Sequence, residues 1–116
     1  MEFEKSKLIE LKEKFDSIIN MEEKDNIEFW YARDLQTQLG YKRWENFFET
    51  IKKAMQSCEN TSIPVENHFR EVTKMINLAK GARRPIQDYM LTRYACYLIA
   101  QNGDSKKEEI AFAQTY

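Results

Sequence analysis

A chain of 116 residues with 42% apolar and 13% aromatic side chains suffices for one buried core and is short for two, and 32% charged residues argue against intrinsic disorder. Two cysteines and a single histidine exclude a disulfide scaffold and any zinc site that does not recruit carboxylates, so no metal and no cofactor is expected. The net charge of −1 conceals a division along the chain: residues 1–30 carry five lysines against nine acidic residues, whereas residues 68–93 carry Arg70, Lys74, Lys80, Arg83, Arg84 and Arg93 against only Glu71 and Asp88.

No stretch approaches the roughly 20 apolar residues of a membrane span, and the acidic start lacks the basic and apolar regions of a signal peptide. A cytoplasmic protein without a membrane partner is therefore expected. From Lys5 to Asn20, Leu8, Leu11, Phe15, Ile18 and Ile19 recur at helical spacing, which predicts an amphipathic helix. The polar run "NMEEKDN" breaks it, and "IEFWY" (27–31), β-branched and aromatic, predicts a short strand.

Leu35 and Leu39 lie on one short helix that Gly40 ends in the left-handed conformation, and a second helix carries Trp44, Phe47, Phe48, Ile51, Ala54, Met55 and Cys58. This pair fits either a helix-turn-helix, with Lys42, Arg43 and Asn46 as groove contacts at the start of the second helix, or a plain helical hairpin that serves the core. Glu45 and Glu49, which would approach phosphates, favour the hairpin. "ENTSIPVENHF" reads as a linker. "TKMINL" and "PIQDYML" flank "AKGARR" as the strands and loop of a β-hairpin, with Pro85 opening the second strand where its missing N–H does least harm. A helix from Glu66 to Lys80 is the rival, since Phe69, Val72 and Ile76 also fit a helical period.

Thr92 caps "RYACYLIAQ", a segment apolar on nearly every face that belongs in the centre of the fold and ends at Asn102 and Gly103. Ser105 and Glu108 form a capping box for a last helix through Tyr116. Cys58 and Cys96, each inside an apolar pattern, are expected as buried free thiols. Together these elements predict an α+β fold: a mainly helical single domain, 1–116, with a small antiparallel sheet made of a hairpin near 73–91 and a strand near 27–31.

Catalysis finds no support. His68 has no nucleophile near it in sequence, no phosphate-cradling glycine motif is present, and the carboxylates lie among lysines as on solvated helix faces. The surviving constellation is basic. Lys80, Arg83 and Arg84 around Gly81 are placed to reach phosphates, and Lys74 and Arg93 extend the strip. Pairing of the same cations with the acidic first helix is the alternative. Tyr89, Tyr94 and Tyr97 pose a similar choice between stacking on unpaired bases and packing in the core.

"YARDLQTQLGYKRWENF", "DYMLTRYACYLIAQNGD" and "IAFAQTY" occur in this order, and over residues 28–116 the chain resembles the N-terminal region of the DNA-damage-inducible protein D family. That region is similar to the Bro-N domains of viral, phage and prophage proteins, many of them antirepressors. The first block matches at Tyr31, Ala32, Arg33, Leu35, Leu39, Gly40, Tyr41, Trp44 and Phe47, and the middle block at His68, Phe69, Lys74 and Met75. The family's G-x-G-A-x-R falls on Ala79 to Arg84, with Ala79 in place of the first glycine; downstream, Asp88 to Asp104 follow the family at most positions. The resemblance implies a non-enzymatic, DNA-associated N-terminal module of a longer protein, acting in the damage response or in phage regulation. DNA is the expected partner; the alternative is a protein-interaction module that modulates a repair recombinase or a repressor.

Overall fold

The computed structural model describes residues 2–104, 106, 107, 110 and 114, with residues 2–8 given by their backbone. In chain order, helix α1 (Glu2–Ser17) leads into strands β1 (Asn20–Glu22) and β2 (Ile27–Tyr31), and helices α2 (Ala32–Gln38) and α3 (Trp44–Asn60) follow. A single turn of 3-10 helix at Val65–Asn67 leads into strand β3 (Phe69–Asn77), strand β4 (Arg83–Leu91) and helix α4 (Arg93–Gln101). The four strands form one antiparallel sheet in the order β1-β2-β4-β3. The α+β class read from the sequence is the one observed.

Several local rules act as expected. Gly40 has φ 80°, and the N–H of Tyr41 returns to the carbonyl of Gln36 at 3.1 Å, which closes α2 with a left-handed residue. Thr92 Oγ1 accepts from the N–H of Ala95 at 3.1 Å and so caps α4. Residues 69–91 form a hairpin rather than the rival helix, paired in register from Phe69↔Leu91 to Asn77↔Arg83. The period of two in "REVTKMIN" prevails because cross-strand partners on β4 repeat it. Both cysteines are free and buried.

Other expectations are corrected. The hairpin begins at Phe69, inside the segment read as a linker. Strand β1 forms within "NMEEKDN", a run of low strand propensity that pairs with β2 across a turn holding Asn26 at φ 54°. Pro85 is the third residue of β4, not its first. Leu78 N–H donates to the Ala82 carbonyl at 2.7 Å, so the alternation of the ladder makes Met75↔Pro85 a non-hydrogen-bonded pair. The nitrogen of Pro85 thus faces away from β3, on a flank that β2 does not reach. Helix α4 is not central: Ala95, Cys96, Ile99 and Ala100 are buried, whereas Arg93, Tyr97 and Gln101 form an exposed face. The expected last helix, with its cap at Ser105 and Glu108, lies outside the described residues except for Ile110, fully buried, and Gln114, whose side chain donates to the Ala100 carbonyl.

The core joins Trp30, Leu35, Phe47, Ile51, Cys58, Phe69, Leu91, Ala95 and Ile99 where α3 and α4 meet the inner ends of β2, β3 and β4. Tyr41 crosses it with a polar tip, accepting from the N–H of Asp104 at 3.1 Å and bonding Thr50 Oγ1 at 3.3 Å. Helix α1 is fastened by an indole and by an amide, Gln38 Nε2–H donating to the Leu11 carbonyl at 3.0 Å. Trp30 stacks on Phe15 with ring centres 4.4 Å apart, and its Nε1–H donates to the Phe15 carbonyl at 2.9 Å. Trp30 is fully buried, so Trp30→Ala is expected to cost about 3–5 kcal/mol of unfolding free energy. Urea titration followed by circular dichroism measures it, and a loss below about 1 kcal/mol would remove Trp30 from the core.

Candidate nucleic-acid interface

The β3–β4 hairpin ends in a three-residue turn, Ala79–Gly81, in which Lys80 (φ 63°) and Gly81 (φ 75°) adopt left-handed conformations. Ala79 does not. The replacement of the family's first glycine by Ala79 therefore sits where no positive φ is required. A Cβ at Gly81 would meet nothing within 4 Å, so that glycine serves the backbone conformation and not a close approach. Residues 77–85 are all exposed, and among the described residues Lys80, Arg83 and Arg84 form no hydrogen bond or ion pair through their side chains. A cross-strand ladder projects these three cations around one turn.

The stem of the hairpin is held by a buried carboxylate. Asp88 has no solvent exposure; its Oδ1 accepts from the backbone N–H groups of Arg33 (3.0 Å) and Tyr89 (2.8 Å). The first of these lies in the opening turn of α2, a helix with no cap of its own, so a residue 55 positions away supplies the cap. Asp88 Oδ2 accepts no hydrogen bond; its one contact is ionic, with the ammonium of Lys74 at 3.2 Å, which also stands 3.6 Å over the Tyr31 ring. Arg33 then links the stem to α3: its Nε donates to the Gln87 carbonyl at 2.9 Å and its guanidinium lies 3.9 Å over Trp44. Burial lowers the pKa of this guanidinium, Asp88 and Glu45 raise it, and the like charge of Arg84 lowers it further.

The eight residues read from the sequence as nucleic-acid contacts thus fall into three groups. Lys80, Arg83 and Arg84 share the turn. Lys42, Arg43 and Asn46 are exposed at the α2–α3 connection, beside the stem, because Trp44 Nε1–H reaches Gln87 Oε1 at 3.4 Å. Lys74 and Arg93 are engaged elsewhere. Lys74 belongs to Asp88, and Arg93, at the far end of β4, binds both carboxylate oxygens of Glu28 at 2.9 and 3.2 Å. The partner of Arg93 lies on β2, and among the described residues none of these cations forms an ion pair with the acidic first helix.

Sequence reading missed Arg33, whose position between Arg84, Gln87 and Trp44 depends on where α2 docks. It also passed over Met75 and Leu78, 48% and 45% exposed on the arm. The alternation of "TKMIN" could have found Met75, since it sets that residue on one face with Asn77, and the register adds Arg83 and Pro85. The tyrosines divide: Tyr89 is buried, Tyr94 packs on His68 with ring centres 5.0 Å apart, and Tyr97 is exposed on α4. His68 Nδ1 is 2.7 Å from Thr92 Oγ1, a structural contact beside the α4 cap. Among the described residues no cluster of three or more His, Cys, Asp or Glu is placed to hold a metal, and no helix is long and apolar enough to cross a membrane.

This arrangement of strands, basic turn and helices coincides with a recognised domain: residues 18–116 match the BRO family, N-terminal domain. The chain belongs to that family. Helix α1 precedes the matched residues, and the Phe15–Trp30 stack joins it to them. The chain is also similar to DNA damage-inducible protein D of Escherichia coli (strain K12), 42% identical over 89 residues, which are 77% of this chain and 32% of that protein. It spans about a third of the length of this curated relative. No solved structure matches the chain.

Two expectations follow for the stem of this BRO-family domain. Asp88→Ala removes the cap of α2 and leaves Lys74 without its counter-ion, and should cost about 2–4 kcal/mol in urea unfolding; a neutral result would make the buried carboxylate dispensable. At the other end, the hydrogen bonds from Arg93 hold the Glu28 carboxyl below its ordinary pKa. A carboxylate depressed in the folded state stabilises above its unfolded pKa and loses that contribution as pH falls through the folded value. This pair is exposed and contributes under about 1 kcal/mol. Wild type should exceed Glu28→Gln by that small margin at neutral pH and converge with it below about pH 4, in thermal melts across pH.

Proposed function

We propose that this BRO-family domain is a non-enzymatic, cytoplasmic nucleic-acid-binding module that serves the DNA-damage response or phage and prophage regulation. The observation that carries the reading is the turn at 79–84, where Lys80, Arg83 and Arg84 project without a protein partner among the described residues, on a chain whose net charge is −1. Unpaired cations on a narrow projection supply the phosphate contacts that dominate nucleic-acid affinity. The likeness to DNA damage-inducible protein D supports the damage-response setting. Lys42, Arg43 and Asn46 beside the stem provide a second point of contact.

Affinity for short DNA should fall by about 0.9 log units per log unit of salt for each phosphate contacted, a slope near −2.7 for three contacts at the turn. Arg83→Ala with Arg84→Ala should weaken binding to all sequences alike and make the slope shallower by about 1.8. A salt titration by fluorescence anisotropy measures both, and an affinity independent of salt would overturn the reading.

The acidic end of β1 and the turn after it, with Glu22, Glu23 and Asp25, favour a second reading, in which the domain docks on a basic surface of a recombinase or repressor. Absence of DNA binding at low salt, together with co-purification of such a protein, would select it.

A further inference from the structure

The strands of the hairpin run nine residues each, about 30 Å. Strand β2 pairs with β4 only at Met90 and Leu91, and the contacts of Asp88, Gln87 and Lys74 end the support from the rest of the fold. From Met75 to Pro85 no hydrogen bond, ion pair or ring contact leaves the hairpin among the described residues. Among the described residues the outer part is a two-stranded ribbon with no hydrogen bond or ion pair to the body, Arg84 alone lying close enough to act on the charge of Arg33. Its side chains combine the cations of the turn with exposed apolar groups: Met75 faces Pro85 across the strands, and Leu78 begins the turn. No aromatic residue lies between Thr73 and Ile86.

That combination discriminates between nucleic acids. Single-strand binders hold unpaired bases on aromatic side chains, which the ribbon lacks; the exposed Tyr97 lies on α4, past the opposite end of β4. Two strands about 4.8 Å apart, with side chains on both faces, match the major groove at about 12 Å and exceed the minor groove at about 6 Å. Apolar groups at the tip have no use against phosphates, whereas base edges and thymine methyl groups accept them.

We propose that the outer β3–β4 ribbon enters the major groove of double-stranded DNA, with Lys80, Arg83 and Arg84 on the flanking phosphates and Met75, Leu78 and Pro85 against the base edges. This rests on the nucleic-acid-binding reading given above.

The test is anisotropy with a labelled 20-base-pair duplex and with each of its single strands, compared at matched salt concentrations across a salt series. Wild type should bind the duplex more tightly than either strand, and methyl green, which occupies the major groove, should displace it while netropsin, which occupies the minor groove, should not. Met75→Ala with Leu78→Ala should weaken duplex binding about tenfold through lost apolar burial and leave the salt slope unchanged. Both residues are exposed, and circular dichroism checks that the variant folds; the two groove competitors use wild type alone and decide the matter even if it does not. Tighter binding to single strands, displacement by netropsin, or an unchanged affinity in the folded double variant would overturn the groove proposal while leaving nucleic-acid binding intact. Failure to bind any of the three DNAs would overturn both.

Discussion

The Asp88 carboxylate, fully removed from water, is the constraint on which the arrangement of elements depends. Burying a carboxylate costs several kcal/mol unless its lone pairs are filled and an opposite charge stands close. Here the partners come from three places: the Arg33 N–H in the opening turn of α2, the Tyr89 N–H of β4 itself, and the Lys74 ammonium of β3, which supplies the opposite charge. Filling them fixes where α2 starts, how β3 registers on β4, and, through the Arg33 side chain that follows, where Trp44 and α3 lie. Helix α2 in this way takes over the flank of β4 at the point where β2 ends.

The same network gives meaning to the uneven charge of the chain. All of the positive excess lies between residues 68 and 93, yet the fold divides it. Lys74 is spent internally, Arg93 closes the base of the molecule against Glu28 in the acidic N-terminal segment, and the cations around the turn remain. A linear strip of positive charge becomes a concentrated one at the far end of a projection.

Much of the fold was legible because local chemistry agreed with tertiary demand. The glycine that ends α2, the threonine that caps α4 and the apolar face of α3 each act within one or two turns of chain. What was not legible depends on long range. Strand β1 exists because Asn20 to Glu22 can pair with Phe29 to Ile27, not because that run prefers to be extended. The exposed face of α4 is set by what packs against it, since Tyr97 looks as apolar in sequence as its buried neighbours. For the candidate interface, the basic turn and its hairpin were readable from glycine, alternation and charge. The fates of Lys74 and Arg93 were not: their partners lie 14 and 65 residues away, and a charge count cannot tell a cation that projects from one that is already paired.

Mechanically, the β3–β4 hairpin is a cantilever. Its root is clamped by a carboxylate, an arginine and an indole, and among the described residues no hydrogen bond or ion pair ties its outer span to the body, which leaves the ladder between its own two strands, a unit that is marginal when isolated. A load applied at Lys80 or Arg83 passes into the body down those strands. It arrives first at the root, where Asp88 grips the start of α2, so a pull on the tip is delivered to a helix terminus rather than dispersed through the core.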